Sequence, residues 1–257
     1  MIIRKTLHFH TNTFTTEDKM NKTNYGFDAP AIMRNMIIVG ALLTTVGFLV
    51  LTFNENIILK YGSFLIILVG IILFILGNSM YIYGIKGKFR MRDFILSKII
   101  WKGDETVLDI GTGLGLYMIG AAKYLKTGKS YGIDIWRAED LSDNSIENAY
   151  RNAVLESVRD KVEIKNEDAR NLSFANDSID IVLSMFCIHN IDEKDGQEKA
   201  CLEIARVLKP NGRAFIGEWI PTHEYAKYFA KAGLNVINSK QYFSTAYSLM
   251  WMVEVTK

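Results

Sequence analysis

Cysteine, histidine and net charge are all scarce in these 257 residues, and each scarcity closes off a class of function. The two cysteines, Cys187 and Cys201, form no C-x-x-C pair. Neither a disulfide framework nor a thiolate metal site is expected, and a reducing compartment fits. The four histidines show no H-E-x-x-H pattern, so no metal is expected. Lysine plus arginine number 30 against 28 aspartate plus glutamate. No basic stripe interleaves with aromatics, and nucleic acid is not an expected partner. With 49% hydrophobic and 23% charged residues, the chain has enough material for one α/β domain and a small appendage.

Charge is also missing locally. Residues 36–53 and 61–85 carry none, and each run matches the roughly 17–25 residues with which a helix crosses a bilayer. A buried helix of a soluble domain rarely stays apolar all round for so long. A cleaved leader would begin earlier, without a second run behind it. The reading is a two-helix membrane hairpin joined by residues 54–60. Gly40, Thr44 and Gly47 fall on one helical face, and Gly70, Gly77 and Gly84 repeat the seven-residue interval. Such stripes let membrane helices approach closely, though glycine is also simply common in membrane spans.

Arg34, with Lys19 and Lys22 further out, precedes the first run. Lys86, Lys88, Arg90 and Arg92 follow the second, while the connection holds only Lys60 against Glu55. Positive-inside reasoning then gives a multi-pass protein with both termini and the remaining domain in the cytoplasm. Residues 86–98 mix this charge with Phe89, Phe94, Ile95, Ile99 and Ile100 near helical spacing. They read either as an amphipathic helix resting on anionic headgroups or as a helix packed on the domain it leads into. Residues 1–24 are polar and read as a flexible tail. Residues 25–31, with an aromatic pair and Asp28 ahead of Pro30, read as a lid or as a turn on the approach to the membrane. The expected division is tail and lid over 1–35, hairpin over 36–88 and catalytic domain over 89–257.

The most specific pattern is VLDIGTGLG at 107–115, a buried strand running into a glycine turn and then a helix. Gly111, Gly113 and Gly115 permit positive φ and close approach of a ligand, and the helix start favours an anionic group. A dinucleotide site uses G-x-G-x-x-G; here the spacing is G-x-G-x-G, and Asp109 just upstream would repel a pyrophosphate. S-adenosylmethionine has no phosphate, and its carboxylate, ammonium and sulfonium suit this turn and this acid. A second strand ends at Asp134, roughly 20 residues on, where such folds hold a ribose. Strands at 162–168, 180–186 and after a 209–212 turn come next, alternating with helical stretches at 114–126, 144–157 and 194–208. This order implies a mostly parallel sheet with helices on both faces. A further helix at 222–232 and β-prone stretches at 235–243 and 249–256 complete the chain.

From residue 103 onward the chain resembles the class I S-adenosylmethionine-dependent methyltransferases. The carrying residues are VLDIGTGLG at 107–115, GID at 132–134, EDARNLSF at 167–174, DIVLSMFCIHNI at 180–191 and EIARVLKPNGRAFI at 203–216. A narrower resemblance, to a prokaryotic subset with an N-terminal membrane hairpin, rests on YGFDAP at 25–30 and CIHNI at 187–191. The expected fold is therefore α/β, a Rossmann-like, mostly parallel seven-stranded sheet with an antiparallel edge pair, preceded by the hairpin. The resemblance assigns the methionine part of the cofactor to Gly111, Thr112, Gly113 and Gly115 with Asp109 nearby, and the ribose to Asp134. Ile135 would flank the adenine, Asp168 and Ala169 would meet its edge, and Ser184 and Met185 would line the floor below the methyl group.

Methyl transfer needs a base only when the nucleophile is protonated. The candidate is His189, whose ordinary pKa near 6.5 suits the task; the alternative is that it braces its loop with Asn190. Cys187 has nothing beside it in sequence to activate it, and Glu218 and Trp219 stand where an acceptor could meet them. The expected activity is methyl transfer from S-adenosylmethionine to a lipophilic small molecule or lipid at a membrane. A tethered protein methyltransferase and a non-catalytic cofactor-binding scaffold remain open, and oligomeric state is not legible.

Overall fold

The computed structural model describes residues 22–137, 139–192 and 194–257. Most of the tail expected at 1–24 lies outside the described residues. Helix α1 (Pro30–Phe53) and helix α2 (Ile57–Ile82) form the hairpin. Proline at the first turn of α1 costs no hydrogen bond, because that N–H has no partner in any helix. The connection is shorter than the expected 54–60. Asn56 caps α2 by accepting from the N–H groups of Ile58 and Leu59 at 2.9 and 3.4 Å, so the helix begins before Lys60.

Gly40, Gly47, Gly70 and Gly77 lie in the contact between these helices, while Gly84, expected on the same stripe, meets Phe27. A Cβ on Gly40 would lie 2.5 Å from the Phe74 nitrogen, and one on Gly70 would lie 2.6 Å from the Thr44 nitrogen. Away from that seam the apolar side chains face outward, Leu42, Phe48, Ile58 and Leu65 all more than half exposed. Both helices are long and apolar enough to cross a membrane.

After Ile82 the helix does not stop. One π-helical turn, Tyr83–Gly87, inserts an extra residue and leads into α3 (Lys88–Ser97). Such a turn rotates the phase of the helix beyond it. Here Met91, Ile95 and Leu96 of α3 join the core, so one face of residues 86–98 packs on the domain while Lys86 and Arg90 stay exposed. Two expectations for this segment fail: Lys88 is buried and Ile100 is fully exposed.

Among the described residues the seven strands are β1 (Thr106–Ile110), β2 (Lys129–Asp134), β3 (Val162–Asn166), β4 (Ile179–Met185), β5 (Leu208–Glu218), β6 (Asn235–Gln241) and β7 (Trp251–Thr256). Their order is β3-β2-β1-β4-β5-β7-β6. The first five run parallel and β7 is antiparallel to both its neighbours. Between the strands lie α4 (Leu116–Ala122), α5 (Ile146–Leu155), α6 (Lys194–Val207), α7 (His223–Lys231) and the short α8 (Phe243–Ala246). The fold is the expected Rossmann-like α/β sheet with an antiparallel edge pair. The turn expected at 209–212 falls within β5.

Burial on both faces follows the period of two along each strand. Val107, Ile181, Leu183 and Phe215 enter one core layer; Leu108, Val182, Ala214 and Ile216 enter the other. The chain leaves β1 toward β2 and β3, then returns to β4 on the other side of β1. That reversal opens a crevice at the C-terminal ends of β1 and β4.

Replacing Gly70 by valine is expected to overpack the hairpin seam by about 1–3 kcal/mol. In detergent the thermal midpoint should fall by several degrees. Gly62→Val, where an added Cβ meets nothing within 4 Å, controls for helix propensity and should leave the seam intact.

Candidate active site

The three central strands finish level: Ile110 of β1 pairs with Ile133 of β2 and with Ser184 of β4. A cleft opens from these ends, walled by Gly111, Gly113, Asp134, Asp168 and Met185. A second, smaller cavity adjoins it toward Tyr83 and Tyr117, here called the inner cavity, and the two share Asp28, Gly111, Gly113, Leu141 and Met185 in their walls.

The glycine turn separates them. A side chain on Gly111 would collide with Cys187, and one on Gly113 would come within 2.6 Å of Leu141. Both residues have positive φ, so substitution is strained on two counts. The turn is held by backbone bonds, the N–H groups of Gly111 and Thr112 both donating to the Ile133 carbonyl at 2.9 Å.

The acids act differently from expectation. Asp109 is buried, and its Oδ2 accepts from the Thr112 hydroxyl at 2.8 Å and from the Met118 N–H at 2.9 Å. It braces the start of α4 and takes up a first-turn donor that the motif alone leaves free for a ligand. Burial pushes its carboxyl up to about 7. Asp134 accepts from the Gly113 N–H at 2.8 Å with one oxygen and from the Trp136 N–H at 2.7 Å with the other. It is thus fixed in the cleft wall before any ligand arrives. Asp168 also lines the cleft. The Arg170 guanidinium grips it from 2.7 Å and holds its carboxyl below the usual range.

Ile135, Ala169 and Met185 line the cleft, and Thr112 lines the inner cavity. Gly115 has positive φ and caps α4 but lines neither cavity. Ser184 lines neither as well. It is fully buried within β4, and its hydroxyl has no hydrogen-bond partner. The floor therefore falls to Met185, one residue on and on the other face of the strand.

His189 sits outside the cleft walls, although Cys187 and Asn190 on either side are in them. Its Nδ1 lies 2.5 Å from Oε2 of the fully buried Glu218, and its N–H donates to the other Glu218 oxygen at 3.2 Å. The Trp219 ring packs edge-on against the imidazole at 5.8 Å. The Cys187 thiol is pushed far up by burial, which leaves it a poor nucleophile.

Further walls of the site come from outside the five motifs. Residues 24–29 cross the domain beside the 140–142 loop, with Ala29 N–H donating to the Asp140 carbonyl and Ser142 N–H to that of Phe27, at 2.8 and 3.1 Å. Asn24 and Asn152 exchange two bonds. The Lys88 ammonium donates to the carbonyls of Tyr25 and Gly26. This lays Asp28 in the wall common to both cavities. Burial raises its carboxyl while nearby Lys88 pulls it down. Tyr83, from the π-helical turn, lines the inner cavity with Tyr117. Asp28 belongs to the segment 25–31 for which the sequence left a lid or a membrane-entry turn open; nothing in the pattern marked Tyr83.

Residues 108–216, from β1 through β5, match the family model of a methyltransferase domain. Over these residues the chain is similar to methyltransferase domains. Curated relatives include a demethylmenaquinone methyltransferase of Lactobacillus johnsonii, 29% identical over 55% of this chain and 54% of its own. A ubiquinone/menaquinone biosynthesis C-methyltransferase of Geotalea daltonii is 28% identical over 60% and 64%. Among solved structures, a SAM-dependent methyltransferase from Aquifex aeolicus superposes with a TM-score of 0.53 at 20% identity, over 64% of this chain and 88% of its own. The chain spans about half the length of the first curated relatives it matches. S-adenosylmethionine is the cofactor of the methyltransferase domain. The residues present fit it: a glycine cradle that a Cβ would fill, and an acid-rich cleft for a cationic ligand.

The methyltransferase domain should show the electrostatic cost of burying Asp109. Its folded pKa of about 7 lies above the ordinary carboxylate value, so the folded state retains a proton that the unfolded chain has lost. Without cofactor, stability is expected to fall as pH rises from about 4 to about 7, and to level off beyond. Chemical denaturation at several pH values checks this, and Asp109→Asn should flatten the slope.

Proposed function

We propose that this chain transfers a methyl group from S-adenosylmethionine to a lipophilic small molecule, while its hairpin holds it at a membrane with both termini on the cytoplasmic side. The observation that carries the proposal is the position of Tyr83 and Lys88. Both continue the second apolar helix, and both form the wall of the inner cavity beside the glycine turn. An acceptor dissolved in the bilayer would find the cavity at the base of the helix that leaves it. The named quinone methyltransferases among the relatives support an acceptor of that chemical class. Arg34, Lys86 and Arg90 flank the inner ends of the helices, in accord with the positive-inside rule.

Gly111, Thr112 and Gly113 would hold the methionine part of the cofactor, Asp134 the ribose, Ile135 a face of the adenine, and Asp168 with Ala169 its edge. The cofactor supplies a methyl group on a sulfonium, a leaving group already activated. The chain's own contribution is to align the acceptor and keep out water. Asp28, in the wall of both cavities, would offset the positive charge of the cofactor. Lys88 fixes the segment that carries it. His189 is a positioning residue: anchored by Glu218, it sets the loop from Phe186 to Asn190 that walls the cleft.

Incubation with radiolabelled cofactor and a membrane lipid extract tests this reading. Label is expected in the lipid fraction and should be lost in Asp134→Ala. Label in protein alone, or binding without any transfer, would contradict it. Asp28→Asn is expected to weaken cofactor binding about tenfold in calorimetry.

A further inference from the structure

The chain segment between β6 and β7 places an aromatic surface beside the inner end of the hairpin. Helix α8 lies in this segment, and Phe243, Tyr247 and Leu249 around it are exposed at 54%, 37% and 36%. The segment is not a free flap. The Ala246 carbonyl sits against Gly87, where any side chain would collide with it. The Ser248 hydroxyl lies 3.4 Å from that of Ser79 on α2, and the Tyr242 N–H donates to the Met250 carbonyl at 2.8 Å. The loop is therefore fixed at the level of Ser79.

That level can be placed along the helix. From Ile57 to Ser79, at about 1.5 Å per residue, is about 33 Å, against about 30 Å of bilayer hydrocarbon. On α1 the corresponding distance from Phe53 back to Arg34, the first charge on that side, is about 29 Å. The two helices agree, since a Cβ on Gly77 would lie 3.1 Å from the Met33 carbonyl. Ser79 and Arg34 thus mark the inner boundary of the apolar layer, and the loop bound to Ser79 stands at that boundary. Its surroundings are basic. The Arg90 guanidinium lies 4.4 Å from the centre of the Tyr247 ring, and Lys86 and Arg90 are both exposed.

We infer that residues 242–250 form a second membrane contact, in which Phe243, Tyr247 and Leu249 enter the headgroup boundary of the leaflet below the hairpin and Arg90 and Lys86 meet anionic phosphates. Aromatic and aliphatic side chains ringed by cations suit that layer. The inference rests on the hairpin spanning a membrane. It adds that the catalytic domain itself lies on the lipid, and not at the end of a tether. The contact orients the domain, because α8 also touches the π-helical turn whose Tyr83 lines the inner cavity. The acceptor class then narrows to an amphiphile whose reactive head reaches just past the headgroup layer.

Site-directed fluorescence separates the two claims. The native thiols, Cys187 and Cys201, are both held in the unreactive form by burial, so the unmodified chain serves as the labelling control. An environment-sensitive dye is attached to Phe243→Cys, to Val46→Cys on the exposed face of α1, and to Asn211→Cys at the opposite end of the sheet. The full chain is reconstituted in phosphatidylcholine–phosphatidylglycerol vesicles carrying nitroxide-labelled lipid. Quenching at 243 is expected to reach at least half that at 46 and to exceed that at 211 several-fold. Quenching at 46 with none at 243 would overturn the second contact and leave the hairpin standing. No quenching at 46 would remove both. A signal at 243 that depends on protein-to-lipid ratio and not on nitroxide would point to a second copy of the chain on this surface, and also overturns the inference.

Discussion

The buried ammonium of Lys88 is the interaction on which the rest of the structure depends. A cation taken out of water must find replacement partners. Lys88 finds them in the carbonyls of Tyr25 and Gly26, with the Phe27 and Phe89 rings about 6 Å away. Those carbonyls belong to the segment that carries Asp28 into the cavity wall. Lys88 itself begins the helix that continues the second apolar span. One side chain thus ties the hairpin, the segment over the cleft and the catalytic domain into a single unit. The π-helical turn immediately before it supplies the change of phase that aims Lys88 inward.

Within the cleft, preorganisation comes from carboxylates that already have partners. Asp109 and Asp134 occupy opposite sides of the glycine turn, and between them they hold the Thr112 hydroxyl and the N–H groups of Met118, Gly113 and Trp136. A turn with residues at positive φ is flexible when left alone. Here four hydrogen bonds and the Ile133 carbonyl remove that freedom before a ligand binds, so less ordering remains to oppose binding.

The sheet was legible because its code is local. Strands β1 to β5 alternate or run apolar at a fixed period, and β1, β2 and β5 end in a recognisable acid or glycine turn. The hairpin was legible for the same reason, as an absence of charge over the length of a bilayer. The failures share a different cause. Ser184 and Met185 differ by one position, and only the register of β4 against β1 says which faces the cleft. Asp109 does line the inner cavity, but a sequence does not show that it also braces the start of α4 through Thr112 and Met118. Lys88 was counted as a surface charge because its partners lie 62 and 63 residues upstream. His189 could be read as base or brace, and its relation to Glu218, on a different strand, was set by the fold alone.

The central claim is that Asp28 and the segment 24–29 that carries it form part of the wall at which the cofactor is proposed to bind. Hydrogen exchange on the full chain, with and without S-adenosylmethionine, measures this directly. The amides of Phe27 and Ala29, bonded to Ser142 and Asp140, are expected to exchange several-fold more slowly when the cofactor is bound, together with that of Gly113. Protection at Gly113 with unchanged exchange across 24–29 would show that the cofactor binds without engaging this segment, and would contradict the claim.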